Sequence, residues 1–214
     1  MIMIVHVPGD FYVPRGFTGD TRTIVPDSVV MWMANEYDLT HNGLLGLDPA
    51  CGAYTIPRVL RTLGATQVDA CDIDANNFKI SSEEAASLTA RGLGVGITKL
   101  GDMTQLFFDD KYDYIYTSLP FNWFGDDPLS PHYAMTLRHL IADTGMLLID
   151  SAIHVIREDK KVPVASRQIK YFEALGFTLE KQINFTIDGQ NSNFDNSYSE
   201  LVFRLSADQP QTYI

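Results

Sequence analysis

Residues 44–54 read LLGLDPACGAY, and this stretch decides how the rest of the chain is interpreted. It opens with a short apolar run, which is typical of a strand buried on both faces of a parallel sheet. A turn of small residues follows at 50–53, and we predict a helix over 55–63. A strand, a tight loop and a helix together point backbone N–H groups and the positive end of a helix at a bound ligand. Because a single Gly is a weak signal, an ordinary strand-to-helix turn is the alternative.

The bulk composition is that of a globular protein. With 214 residues, 45% hydrophobic and 20% charged, we expect a single domain, 1–214, made of an N-terminal arm (1–25) and a core (26–206). The chain has no run of eighteen apolar residues, and its start lacks the features of a signal peptide. We therefore expect a cytoplasmic protein without a membrane span. Cys51 and Cys71 should be reduced, and neither the cysteines nor the five histidines have the spacing of a metal site.

The charge limits the choice of partners. A formal net charge of −11 and a pI near 4.7 are unusual for a protein that binds nucleic acid by itself, since such proteins carry an excess of Lys and Arg. One basic cluster could bind phosphates: Arg157, Lys160, Lys161, Arg167 and Lys170. A solvated helix face is at least as good an interpretation, because Glu158 and Asp159 interrupt the cluster. The acidity favours a small substrate or a partner subunit.

The rest of the chain alternates predicted strands with predicted helices. A helix is expected from Pro26, and others over 75–91, 131–142 and 166–175. Further strands are expected over 67–71, 95–100, 112–117, 146–150, 178–187 and 198–205. This order predicts an α/β, Rossmann-like, doubly wound sheet of seven mostly parallel strands that ends in an antiparallel hairpin.

Polar residues follow four of these strands. Asp48, Asp72, Asp102 and Ser118 each come after an apolar run. In open α/β sheets, ligands bind at the carboxyl ends of the strands, around the point where the strand order reverses. One acid at a strand end is more often a helix cap than a ligand group, but four such residues in succession indicate a binding edge.

From residue 26 to residue 205 the chain resembles the class I S-adenosylmethionine-dependent methyltransferases. The family's first motif is matched by Leu47, Asp48, Pro49, Ala50, Cys51 and Gly52. The resemblance implies S-adenosylmethionine as the cofactor, with Asp48 at its methionine end and the backbone of 50–53 along it. It also implies that Asp72, beside Ile73, accepts hydrogen bonds from the ribose. Asp102 and Met103 would meet the adenine.

The tetrapeptide Ser118-Leu119-Pro120-Phe121 resembles the (Asp/Asn/Ser)-Pro-Pro-(Tyr/Phe) motif of methyltransferases that modify planar amino nitrogens. By this resemblance, the Ser118 hydroxyl and the Leu119 carbonyl accept the two N–H bonds of an amine, while the Phe121 ring stacks on the acceptor. An aromatic amine is a poor nucleophile because its lone pair is delocalised, so such contacts favour the attacking form.

Two residues depart from the family pattern. Tyr54 stands where the first motif usually has a second Gly, and Leu119 replaces the first Pro of the tetrapeptide, whose rigid φ is lost. We therefore predict an N-methyltransferase acting on an exocyclic amine of a nucleobase in DNA or RNA. The alternatives are a methyltransferase of a small molecule or protein side chain, and a non-catalytic subunit. We expect Trp32, on the first helix, to face a partner, which leaves room for a homodimer.

Overall fold

The computed structural model describes residues 2–17, 24–108, 110–118, 130–152, 154–157, 160–188 and 197–206. Its five helices in these ranges are α1 (Asp27–Glu36), α2 (Thr55–Thr62), α3 (Ala75–Ala90), α4 (Ser130–Leu140) and α5 (Ala165–Ala174). The strands are β1 (Ile2–Pro8), β2 (Leu45–Asp48), β3 (Gln67–Asp72), β4 (Thr98–Leu100), β5 (Tyr112–Ser118), β6 (Ile141–Ala152), β7 (His154–Arg157), β8 (Lys160–Pro163), β9 (Phe177–Asp188) and β10 (Ser197–Leu205).

Eight strands form one sheet in the order β1-β9-β10-β6-β5-β2-β3-β4. The pairs from β6 to β4 are parallel. β10 runs antiparallel to both of its neighbours, which confirms the predicted closing hairpin. The order reverses between β2 and β5, so the carboxyl ends of these two strands meet at the switch point of an α/β sheet. The α/β, Rossmann-like fold class is confirmed.

Strand β1 corrects the prediction that residues 1–25 form an irregular arm. Residues 2–8 pair in parallel with 182–188, in the register Ile2 to Gln182. This strand is the eighth in a sheet for which we predicted seven. Only the part of the arm after Pro8 has irregular backbone in the described residues. The arm is tied down there, because the Ser28 hydroxyl donates to the Pro8 carbonyl at 2.7 Å. A second hairpin, formed by β7 and β8, was not predicted either.

Helices pack on both faces of the sheet. One apolar cluster joins α1 and α2 to one face through residues such as Val29, Met33 and Leu60. A second cluster joins α4 and α5 to the other face through Leu137 and Phe172. None of the helices in the described ranges is long and apolar enough to cross a membrane.

Trp32 packs partly against its own chain. Its ring meets the Phe185 ring edge to face, with the centroids 5.3 Å apart. Trp32 is only partly buried by this contact with strand β9. That it faces a partner, and the homodimer, stay predictions.

Gly46 lets β2 lie against β5. The two strands pair Gly46 with Tyr114, and a Cβ on Gly46 would stand 2.3 Å from the Tyr114 ring. Any other residue would force the buried Tyr114 side chain to move. Gly46 thus leaves room for this ring beside the strand that ends in Asp48.

Candidate active site

A recess opens where β2 and β5 end. Asp48 is the last residue of β2, and Ser118 is the last residue of β5. Six residues predicted from the sequence line the recess together: Asp48, Ala50, Cys51, Gly52, Ala53 and Ser118. The structure therefore brings the first motif and the start of the tetrapeptide to one place.

The lining also includes residues that the sequence did not single out. Thr55 and Ile56 come from the first turn of α2, and Phe17, Ile24 and Val25 come from the segment before α1. The arm is thus both packed on the domain and in contact with the recess. It is held beside α3 by the Asn76 side-chain amide, which donates to the Gly16 carbonyl at 3.2 Å.

Asp48 is 1% exposed in the floor of the recess. Burial is the main cause that raises the pKa of its carboxyl from 3.8 to about 8. The Ala50 N–H, which donates to Asp48 Oδ1 at 3.3 Å, opposes the rise, while the nearby Asp72 adds to it. A buried carboxyl with so high a pKa is a site where a positively charged ligand would offset the cost of burial.

Asp72 ties the first motif to the second strand. Its Oδ2 accepts the Gly52 N–H at 2.8 Å, and its Oδ1 accepts the Asp74 N–H at 2.8 Å. Gly52 adopts a positive φ of 45°, a conformation that favours glycine, and this turns its N–H toward the carboxylate. Asp72 Oδ1 also accepts the Asn77 side-chain amide at 3.4 Å. A carboxylate has about four acceptor positions, so Asp72 keeps about one for a ribose hydroxyl.

Tyr54, the departure from the first motif, points away from the recess. It adopts a φ of 63° in the left-handed region and is fully buried among Cys51, Ala70, Ala85 and Leu88. Its hydroxyl accepts a hydrogen bond from Arg61 Nη1 at 3.1 Å. The ring therefore packs on the side of the loop that faces away from the recess, where it does not crowd a ligand.

Arg61 explains why a tyrosine is tolerated there. Its guanidinium is fully buried, and its remaining hydrogen bonds go to neutral oxygens: the Leu93, Ala85 and Gly94 carbonyls and the Thr89 hydroxyl. The Tyr54 hydroxyl completes this set of acceptors. A buried charge needs such partners, so Tyr54 and Arg61 stabilise each other.

Thr55 places an unsatisfied polar atom at the recess. It is the first residue of α2, where the first backbone N–H groups have no partner within the helix. Its buried Oγ1 has no hydrogen-bond partner among the described residues. A hydroxyl and a helix N-terminus together suit a ligand that carries a carboxylate.

Ser118 is hydrogen-bonded to a residue that the sequence did not mark as part of the site. Its hydroxyl donates to Asp150 Oδ2 at 2.7 Å. Asp150 lies in β6 opposite Ser118, and Glu200 lies in β10 opposite Asp150. Both acids are fully buried, and the Tyr116 hydroxyl donates to Glu200 Oε1 at 2.8 Å.

The sequence held a signal for Asp150, which ends an apolar run as Asp48 does. It held none for Glu200, because residues 199–203 of β10 are all buried and burial does not alternate there. An acid is rarely fully buried without a function or a partner. Burial raises the pKa of both carboxyls, and the charge of Asp150 raises that of Glu200 further.

The remaining predicted site residues that the structure describes are not among those that line the recess. Asp102 Oδ1 accepts the Thr104 N–H at 2.9 Å in a turn, and Met103 is buried in the core. Ile73 is 64% exposed beside Asp72. The adenine contacts of Asp102 and Met103 stay a prediction. Leu119, Pro120 and Phe121 lie outside the described residues.

The predicted basic cluster is divided among three elements, β7, β8 and α5. Arg157 pairs with Lys160 across the β7–β8 hairpin, Lys161 lies in β8, and Arg167 and Lys170 are exposed on α5. Its binding of phosphate stays a prediction. Among the described residues, no group of three or more His, Cys, Asp or Glu side chains is arranged to hold a metal ion.

No family model and no curated protein matches the chain. Solved structures do match. The glycopeptide N-methyltransferase MtfA, complexed with sinefungin, is 15% identical with a TM-score of 0.65 and covers 94% of this chain and 92% of its own. Magnesium protoporphyrin IX methyltransferase from Synechocystis PCC 6803, with bound S-adenosylmethionine, is 20% identical with a TM-score of 0.59, covering 84% and 77%.

A third similar structure is PH1948 from Pyrococcus horikoshii, a proposed RNA methyltransferase. It is 15% identical with a TM-score of 0.61, and the match covers 93% of each chain. The three proteins act on different substrates by their names, but they share one architecture with this chain. The chain therefore has the methyltransferase fold.

Proposed function

We propose that this protein is an S-adenosylmethionine-dependent methyltransferase that methylates an amino nitrogen, with an exocyclic amine of a nucleobase in DNA or RNA as the acceptor. One observation carries the proposal. Asp48 and Ser118, which end two neighbouring strands at the switch point, line the same recess, together with the small-residue loop of the first motif.

The residues of the recess fit the proposed cofactor. S-adenosylmethionine supplies a methyl group on a positively charged sulfur, and it carries an ammonium, a carboxylate and a ribose diol. Asp48 offers a buried carboxyl for the positive charges, and the unsatisfied Thr55 hydroxyl lies at the N-terminus of α2. Asp72, beside the recess, keeps about one acceptor position for a hydroxyl of the diol.

Ser118 is the residue that we expect to meet the acceptor. Because its only hydroxyl proton goes to Asp150, it can meet a further polar group only as an acceptor. A hydroxyl that can only accept a hydrogen bond suits the N–H group of an amine, which donates one. It does not suit a carbonyl or a carboxylate, which can also only accept. By the resemblance of the tetrapeptide, the Leu119 carbonyl would accept the second N–H bond and Phe121 would stack on the ring.

A nucleobase is supported by the tetrapeptide and by the basic residues of β7, β8 and α5. The second candidate is an amine of a small molecule or of a protein side chain. The net charge of −11 favours it, as does the buried Asp150 carboxyl next to Ser118. Phosphate contacts would give nucleic-acid binding a steep dependence on salt, which the second candidate lacks.

The test is incubation of the full chain with S-adenosylmethionine labelled on its methyl group. DNA, RNA, protein and metabolite fractions are offered separately, and the labelled atom is identified. We expect label on an amino nitrogen of a nucleobase, and none with Ser118→Ala. Label on a small molecule or protein would favour the second candidate. Cofactor-induced thermal stabilisation without any transfer would point to a non-catalytic subunit instead, and the absence of cofactor binding would refute the proposal.

A further inference from the structure

Three strands carry a row of polar side chains beneath the recess. Ser118 in β5 pairs with Asp150 in β6, and Asp150 pairs with Glu200 in β10. Side chains of directly paired residues point to the same face of a sheet, so these three side chains are neighbours. Only Ser118 reaches the recess. The row therefore connects the recess to two acids in the interior.

The two carboxyls are only half satisfied. Asp150 Oδ2 accepts from Ser118 and Glu200 Oε1 accepts from Tyr116, but Asp150 Oδ1 and Glu200 Oε2 have no hydrogen-bond partner within the described residues. Fully buried carboxylates normally have every oxygen paired, often with a cation. An arrangement that leaves two oxygens unpaired is more easily explained if at least one of the two groups carries a proton.

The groups around Asp150 and Glu200 determine which of the two carboxyls loses its proton first. The groups that face Asp150 are Ser118 and Tyr116 from β5 and Glu200 from β10. Burial raises the pKa of both acids, and the pKa of Glu200 rises further because Asp150 lies beside it. Glu200 therefore holds its proton, while Asp150 can exchange one with Ser118.

We propose that Asp150 is a positioning residue for the reaction: it orients the Ser118 hydroxyl as an acceptor and takes, through that hydroxyl, the proton that the acceptor amine loses. This inference rests on the proposed function. In the step, the nitrogen lone pair forms the N–C bond while the C–S bond breaks, and its electron pair stays on sulfur. The N–H proton passes to Ser118 Oγ, and the Ser118 proton passes to Asp150 Oδ2.

The test compares Asp150→Asn with a matched variant, Glu200→Gln. Asn keeps the shape of Asp150 but cannot take up a proton. We expect kcat to fall by about 10²-fold or more, in the range of a lost proton acceptor, while the affinity for S-adenosylmethionine stays within about twofold. Glu200→Gln replaces a group that is already neutral, so its kcat should stay close to that of the unmodified protein.

The pH profile separates this role from a structural one. Asp150 acts in its charged form, so kcat of the unmodified protein should fall as the pH drops through the raised pKa of Asp150. This acidic limb should disappear in Asp150→Asn and remain in Glu200→Gln. Infrared titration of the protein without cofactor gives a second readout, because the carbonyl band of the Asp150 acid should be missing in Asp150→Asn.

Each outcome has one meaning. Unchanged kcat and an unchanged acidic limb in Asp150→Asn would overturn the inference and leave the proposed function intact. No transfer by the unmodified protein would overturn both. If Asp150→Asn does not fold, Asp150→Glu takes its place, because Glu keeps a proton acceptor: an acidic limb that shifts from its position in the unmodified protein supports the inference, and an unshifted limb or a loss of all transfer overturns it.

Discussion

The carboxyl edge of the sheet has two halves that treat their acids differently. In the cofactor half, formed by residues 48–74, both oxygens of Asp72 accept backbone N–H groups at 2.8 Å. In the acceptor half, formed by Ser118, Asp150 and Glu200, each acid has one oxygen that is paired and one that has no partner among the described residues. Fixed backbone donors hold Asp72 in place, whereas the half-satisfied Asp150 can exchange a proton with Ser118 while Glu200 keeps its own. We infer that Asp72 and its loop bind the cofactor and that Ser118 and Asp150 move the proton.

The largest effect should come from Asp72. In Asp72→Ala we expect the affinity for S-adenosylmethionine to fall by at least about 10²-fold, because hydrogen bonds to a charged group contribute about 1.5–3 kcal/mol each. The Gly52 N–H also loses its acceptor, so the loop is less ordered. Isothermal titration calorimetry measures the change.

Asp74→Ala is the control for this variant. Asp74 lies two residues away and caps α3 by accepting the Asn76 and Asn77 N–H groups, at 2.8 and 3.0 Å. Its loss should cost about 1 kcal/mol of stability with little change in cofactor affinity. Equal losses of affinity in the two variants would mean that Asp72 acts only through the fold.

Asp48 should give the protein without cofactor an unusual dependence of stability on pH. Its pKa is 3.8 in the unfolded chain and about 8 in the folded one, so between these values the unfolded state has lost a proton that the folded state keeps. This contribution to the free energy of unfolding is therefore full below about pH 4 and is lost as the pH rises toward about 8.

Asp48→Asn should remove this contribution. Between about pH 5 and pH 7 the free energy of unfolding of the unmodified protein should fall by about 2–3 kcal/mol more than that of the variant. Denaturant unfolding at both pH values gives the difference. Parallel curves for the two proteins would show that Asp48 is ionised in the folded state without a ligand.

We expect the smallest effect from a substitution of Tyr54, which packs on the side of the loop that faces away from the recess. Tyr54→Phe removes an acceptor of the buried Arg61 and should lower the free energy of unfolding by about 1 kcal/mol, without changing cofactor affinity. Tyr114→Phe is the matched control, since the Tyr114 hydroxyl has no partner among the described residues. It should be neutral or stabilising. A large loss of cofactor affinity in Tyr54→Phe would place this ring in the site.

The sequence was informative where the signal is local. The run before Asp48, the small-residue turn and the cap at Asp74 lie close together in the chain, and the elements β2, α2, β3 and α3 formed near their predicted bounds. The closing hairpin was also found, because its two strands alternate clearly. Local patterns therefore sufficed for the fold class and for most of the cofactor half.

What the sequence missed depends on distant pairing. Strand β1 pairs with residues that lie 180 positions further along the chain, Ile2 with Gln182, and no local sequence pattern identifies that partner. The contact between Ser118 and Asp150 likewise exists only because β5 and β6 are paired in one register. The acceptor half is assembled across three strands, so it could not be derived from motif spacing.

The most direct test of the division between the halves compares Asp72→Ala with Ser118→Ala in two assays. Cofactor affinity is measured by calorimetry, and methyl transfer is measured in a single turnover at saturating cofactor. We expect Asp72→Ala to lose affinity, and Ser118→Ala to keep it within about twofold while transfer is lost. If Ser118→Ala lost affinity as severely as Asp72→Ala, or transferred methyl at the rate of the unmodified protein, the two halves would not have the separate roles assigned to them.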